Sequence, residues 1–264
     1  LVCRARSRAL TTPKFYAKGA GGVQFPGAKV LRIRNDEFRK GWLKARLAAV
    51  PAGQTLLDIG AGECANKAYC GHLTYISQDI AQYDGKGDGS GLQTGEWDFS
   101  KLDIVCDLYD IPEDTLYDNV LCTEVLEHVV DPVRAVEKLS RLVKPGGQII
   151  ITAPFTSMTH FAPYHYCTGF SRFFYQTHLD RLGYEIAELA SNGGYFDMLD
   201  QELGRVRKVR RSYSGWPIDP VSLIVTFLTR LNMRLLAALD GPRNARKSAE
   251  LQTFGWFVRA IRKA

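Results

Sequence analysis

The sequence predicts an α/β protein whose parallel sheet is covered by helices on both faces. Three observations carry that expectation. Short apolar runs alternate with helical stretches and glycine-containing turns across residues 35–190. The first run, Thr55–Ile59, leads directly into Gly60-Ala-Gly62, where the backbone can pass close to a ligand. Acids stand at the ends of three successive runs: Asp58, Asp79 and Asp107. In open sheets of this kind ligands gather at the carboxyl ends of the strands, so the chemistry is expected there.

The elements follow in order. Asn35–Val50 has Phe38, Trp42, Leu43 and Leu47 near helical spacing, and Asn35 or Asp36 can cap it. Pro51 and Gly53 break the chain. Strands are expected at Thr55–Ile59, Leu73–Ser77 (its end drawn on to Asp79), Ile104–Cys106, Val120–Thr123 and Gln148–Thr152. Val133–Leu142 reads as a helix that Lys144-Pro-Gly-Gly147 stops. Phe173–Leu182 reads as a helix with Phe173 and Phe174 in the core, and Tyr184–Leu189 as a sixth strand. Residues 194–212 and 220–239 look helical, and Gly255–Ile261 reads as a last strand. The expected organisation is a basic, Gly-rich arm (1–34), a core (35–192), a helical insertion or cap (193–252) and a closing strand (253–264).

Composition narrows the class. With 264 residues, 45% hydrophobic and 23% charged, the chain is neither disordered, collagen-like nor a polytopic membrane protein. The longest apolar candidate, Val221–Leu239, is interrupted by Arg230, Asn232 and Arg234, so no span of 18–20 apolar residues is expected. No secretory signal is evident. The six cysteines form no CxxC pair, which favours free thiols in a reducing, cytoplasmic setting. The net charge of +6 is uneven: residues 1–35 carry +8, residues 205–264 carry +10, and the acidic middle offsets them. Basic ends suit an anionic partner such as phosphate, RNA or a lipid surface. Pro220–Leu239 is a candidate for peripheral contact with an anionic membrane, for a pocket cover or for a dimer contact.

The glycine turn is not a dinucleotide fingerprint. A third glycine would be needed at position 65, which is Ala65, and Asp58 would repel a pyrophosphate. An acid there suits a ligand that carries a cation, such as an ammonium or sulfonium group. Asp79 lies 21 residues beyond Asp58, where a carboxylate can accept from both ribose hydroxyls. Asp107 can accept from an adenine amino group while the Leu108 N–H serves a ring nitrogen.

This constellation resembles the class I S-adenosylmethionine (SAM)-dependent methyltransferases over residues 35–190. Tyr117-Asp-Asn-Val-Leu-Cys-Thr-Glu-Val-Leu-Glu-His-Val129, Arg141-Leu-Val-Lys-Pro-Gly-Gly147 and Thr253–Arg262 are similar to the family's fourth strand, the turn before its fifth, and its last strand. The resemblance implies a doubly wound, seven-stranded, mostly parallel sheet whose last strand runs antiparallel. It also implies that Gly60 and Gly62 face the methionine part, with Asp58 beside them, Asp79 the ribose, and Asp107 with Leu108 the adenine. Glu124 is expected beside the methyl group. The long, Gly-rich Asp84–Gly95 loop departs from the family pattern.

Two clusters can serve the acceptor: Glu124-Val-Leu-Glu127-His128 after the fourth strand, and His160, Tyr164, His165 and Tyr166 after the fifth. The first is similar to an ExxEH motif of ubiquinone-pathway O-methyltransferases and small-RNA 2′-O-methyltransferases. That resemblance implies Glu124, Glu127 and His128, with His160 or His165, as ligands of Mg²⁺ or a similar divalent cation. Without a metal, His160 or His165 is the expected general base, with His128 and Tyr164 as further catalytic candidates. The leading expectation is O-methylation of a small-molecule or glycan hydroxyl. A metal-dependent RNA 2′-O-methyltransferase and an N-methyltransferase are the alternatives.

Overall fold

A computed structural model describes residues 35–215, 219–242 and 245–264. The expected arm, residues 1–34, lies outside the described residues. Seven strands form one sheet: β1 (Thr55–Ile59), β2 (Thr74–Asp79), β3 (Ile104–Val105), β4 (Tyr117–Thr123), β5 (Val143–Pro154), β6 (Tyr184–Ser191) and β7 (Gly255–Arg262). Their spatial order is β3-β2-β1-β4-β5-β7-β6. The first five are mutually parallel, and β7 runs antiparallel between β5 and β6. The order reverses between β1 and β4, which opens a crevice at their carboxyl ends.

The two faces of the sheet follow from side-chain alternation. Leu57, Ile59, Val120, Cys122, Ile149, Ile151 and Val258 belong to one buried cluster, together with residues of α2 (Pro132–Arg141) and α3 (Arg172–Arg181). The intervening Leu56, Leu121, Ile150 and Phe257 form the other, with α1 (Asn35–Ala48). Trp42 of α1 stacks on Phe257 with ring centroids 4.9 Å apart, and its indole N–H donates to Glu188. This fixes α1 across the sheet and brings Arg39 to the carboxyl end of β4.

Several expectations are corrected. Lys144-Pro-Gly-Gly147 does not precede the fifth strand but lies within it, because Val143 already pairs with Tyr117 and the register shifts before Asn119. The β1–β2 connection holds a 3₁₀ turn, Ala65–Tyr69. Phe173 is 61% exposed beneath the Arg172 guanidinium, whereas Phe174 packs against the core. Five cysteines are free, but Cys106 and Cys167 are only partly buried; Cys3 lies outside the described residues.

The chain between β6 and β7 contains α4 (Tyr195–Tyr213) and α5 (Pro220–Leu239). Here too the sequence expectation is corrected. Despite Arg230, Asn232 and Arg234, α5 is long and apolar enough to cross a membrane by length and composition.

Candidate active site

The cofactor half begins where β1 ends. Gly60 and Gly62 hold left-handed conformations, φ 67° and 53°. A Cβ on Gly60 would lie 2.2 Å from the Val125 side chain, and one on Gly62 would lie 2.7 Å from the Trp97 ring. Only glycine fits both the backbone and the space. Asp58 is fully buried behind this turn. Its Oδ2 accepts from the Tyr75 hydroxyl at 2.6 Å and from the Asn66 amide at 3.2 Å, while Oδ1 has no partner. Burial pushes its carboxyl up to about 6, against the opposing pull of those two hydrogen bonds. A buried carboxylate oxygen without a partner, beside a glycine cradle, suits a cationic ligand.

Asp79 has a prior engagement. Its two oxygens accept from the Gly62 and Ala81 backbone N–H groups, both at 2.9 Å. It therefore pins the glycine turn, and the remaining lone pairs are what a ribose can use. Asp107 caps the 3₁₀ turn Leu108–Asp110 by accepting from the Tyr109 N–H at 2.9 Å, and Leu108 is buried beneath it. The three acids stand along one edge of β1, β2 and β3, as the sequence places them.

Two long loops meet over this edge. Residues 80–103 join the β5–α3 loop through Leu92, whose N–H donates to Thr159 and whose carbonyl accepts from the Phe161 N–H. A Cβ on Gly87 or Gly91 would strike the carbonyls of Ala162 and Thr159. The Gly-rich Asp84–Gly95 stretch is thus the side of this contact that must come close. Tyr83, Trp97 and Phe161 form one aromatic cluster, with Tyr83 stacked on Phe161 at 4.5 Å and Trp97 edge-on to both.

The acceptor half lies after β4. Glu127 is 1% exposed, and neither carboxylate oxygen has a hydrogen-bond partner. Burial, and then the nearby Glu124 charge, hold its carboxyl well above the ordinary range. His128 Nδ1 lies 2.5 Å from the Tyr164 carbonyl. A carbonyl only accepts, so Nδ1 carries the proton and Nε2 presents its lone pair. That Nε2 is buried, without a partner, and 3.8 Å from Glu127 Oε1. Burial lowers the His128 pKa to about 4, so the ring is neutral near pH 7. His160 Nδ1 donates to the Met158 carbonyl at 2.8 Å, which leaves its Nε2 free. Ligand atoms of Glu127, His128 and His160 all lie within 4.8 Å of one another.

His165 stands beside this trio, its ring 4.8 Å from His160 and 6.1 Å from His128. The Ser157 hydroxyl gives its proton to the Thr168 carbonyl, so His165 Nε2, 3.1 Å away, donates to Ser157. Its Nδ1 is left as a base. Burial and the His160 charge lower its pKa. Tyr164 contributes through its backbone carbonyl, which sets the His128 tautomer.

Glu124 departs from expectation. Its backbone is left-handed at φ 55°, and its carboxylate is held by Arg39 at 2.6 Å and by the Thr152 hydroxyl at 2.9 Å. It is not among the grouped ligand atoms, so the expected set of Glu124, Glu127, His128 and His160 contracts to the last three. Arg39 and Trp97 are site residues that the sequence reading missed. Arg39 lies 85 positions from its partner, and nothing in a local motif marks it.

A seven-stranded sheet in this order, with β7 antiparallel and a glycine turn after β1, is the fold of the class I SAM-dependent methyltransferases. Residues 32–190 match the family described as methyltransferase domain. The chain belongs to that family. A ubiquinone biosynthesis O-methyltransferase of Paraburkholderia phytofirmans is 34% identical over 129 residues, covering 44% of this chain and 50% of the relative. One from Paracidovorax citrulli is 30% identical over 120 residues, with the same coverage. The chain thus spans about half the length of the curated relatives it matches. Among solved structures, the cyclase SpnF shares the fold at a TM-score of 0.51 and 13% identity, covering 91% of this chain and 86% of that one.

Proposed function

We propose that the protein transfers the methyl group of SAM to a hydroxyl of a small-molecule acceptor, with a divalent cation held by Glu127, His128 and His160. The observation that supports this most is the orphaned donor set: both Glu127 oxygens and His128 Nε2 are buried without partners, next to the free Nε2 of His160. Leaving such groups unpaired costs about 1–3 kcal/mol each, and more for a charge. One carboxylate and two neutral imidazoles suit a cation such as Mn²⁺ or Mg²⁺. Bound there, it would lower the pKa of an acceptor hydroxyl. The names of the curated relatives, O-methyltransferases, agree with an oxygen acceptor.

The chain's own residues supply the rest. Gly60, Gly62 and Asp58 cradle the methionine part, Asp79 the ribose, and Asp107 with Leu108 the adenine. Transfer breaks the sulfonium–methyl bond as the acceptor oxygen forms its own bond to that carbon. Alignment of the two groups contributes about 7–11 kcal/mol in well-oriented systems. The acceptor proton passes to His165, whose Nδ1 is free and whose orientation Ser157 fixes. Tyr164 and Tyr166, flanking His165 in the β5–α3 loop, would line the acceptor side.

The test is labelled methyl transfer from SAM into small-molecule, glycan and RNA fractions, with and without EDTA. Label in the small-molecule fraction that EDTA abolishes and Mn²⁺ restores is expected. Undiminished transfer in EDTA overturns the metal role, and label confined to RNA overturns the acceptor class.

A further inference from the structure

We propose that α5 lies in the interfacial plane of an anionic lipid bilayer, with its exposed apolar stripe among the acyl chains. The proposal stands on α4 and α5 alone and does not depend on methyl transfer. The helix is arranged inside out. Val221, Ile224, Leu228, Leu231, Leu235 and Leu239 recur every three or four residues on one face, and each is more than half exposed, as are Val225 and Phe227 beside that line. On the opposite face, Arg230 and Arg234 turn towards α4 and pair with Asp200 at 2.7 and 3.1 Å. Asp200 is only 5% exposed. A water-facing helix keeps its charges out and its large apolar residues in. Scattered exposed apolar residues need no explanation, but a continuous stripe about 27 Å long does.

The charge carried on the neighbouring helix selects the occupant. On α4, Arg207, Lys208 and Arg211 are exposed and make no ion pair among the described residues. Residues 195–239, which span both helices, hold seven Lys/Arg and four Asp/Glu, a net +3. An apolar helix beside free cations suits a surface that offers both acyl chains and negative headgroups. A membrane-spanning placement would pull Arg230 and Arg234 into hydrocarbon and strip Asp200 of both partners. The in-plane arrangement keeps those ion pairs and covers the stripe.

The test is flotation of the whole protein with vesicles of phosphatidylcholine alone and of phosphatidylcholine with phosphatidylglycerol. Binding to the anionic vesicles, weakened by salt, is expected. Replacing Leu228, Leu231 and Leu235 with Glu should abolish it. Replacing Arg207, Lys208 and Arg211 with Gln should weaken it about tenfold or more, since basic groups near an anionic surface add to binding. All six positions are on α4 or α5 outside the core, so both variants should keep the parent's circular dichroism and melting temperature. No binding to anionic vesicles overturns the proposal. So does a soluble dimer that the Leu→Glu variant disperses, or cellular protein that resists an alkaline carbonate wash, which marks a spanning helix.

Discussion

The two halves of the crevice handle their polar groups in opposite ways. On the cofactor side, the backbone engages the acids: Asp79 takes two N–H groups and Asp107 caps a turn, while Asp58 keeps one unpartnered oxygen. On the acceptor side, Glu127 and His128 leave every buried ligand atom they present without a partner. Groups with prior engagements are prepared to hold a ligand by shape and a few remaining lone pairs. Unpartnered buried groups cost stability until a ligand supplies the missing partner. Under the proposed function, the first half holds SAM and the second serves the acceptor.

The largest effect that can break this contrast is at Glu127. Glu127→Gln should lower turnover by about three orders of magnitude, the several kcal/mol a Lewis-acidic cation supplies. SAM affinity, measured by calorimetry, should stay within a factor of about three. Parallel losses of both would show that the two halves are not separable.

Asp58 comes next, and its two effects have opposite signs. Its carboxyl pKa is raised to about 6 by burial, so the folded state favours the protonated form. Without cofactor, the associated stability is present below about pH 4 and is lost as pH rises through about 6. Asp58→Asn should therefore raise the melting temperature of the cofactor-free protein at pH 7, by up to about 3 kcal/mol of stability. The same change should weaken SAM binding more than about tenfold, because the negative charge facing a cation is gone. In the parent, SAM affinity should fall as pH drops below about 6. Affinity that stays flat from pH 7 to pH 5 would place the cation elsewhere.

Gly62→Ala sharpens the shape argument. The left-handed backbone alone costs about 1–2 kcal/mol for a residue with a Cβ, and the Trp97 ring must move as well. Weaker SAM binding and a change in tryptophan fluorescence are expected together. The smallest effect is at Arg39, an ion pair with both side chains partly exposed. Arg39→Ala should cost about 1 kcal/mol or less in denaturant unfolding. If it instead abolished transfer, Glu124 would have a chemical part beyond structure.

The strand-end acids and the glycine turn were legible in the sequence because they are local: each follows an apolar run directly. The antiparallel β7 was legible only through the family resemblance. Glu124, Glu127 and His128 share one short motif, but the Arg39 that holds the Glu124 carboxylate comes from another element and is invisible in that motif. His160 could be suspected from the sequence, but its seat beside His128 depends on the Leu92 contact between two loops. The inside-out arrangement of α5 was hidden because Arg230 and Arg234 read as breaks in an apolar run until Asp200 was seen to receive them.

The most direct test of the metal assignment is manganese binding to the purified, EDTA-treated protein, counted by electron paramagnetic resonance in the parent and in Glu127→Gln. One tightly held Mn²⁺ per chain in the parent, absent from the variant while SAM binding persists, is the predicted result. No bound ion in the parent, or equal binding in both, would contradict it and leave His165 as the base of a metal-free transfer.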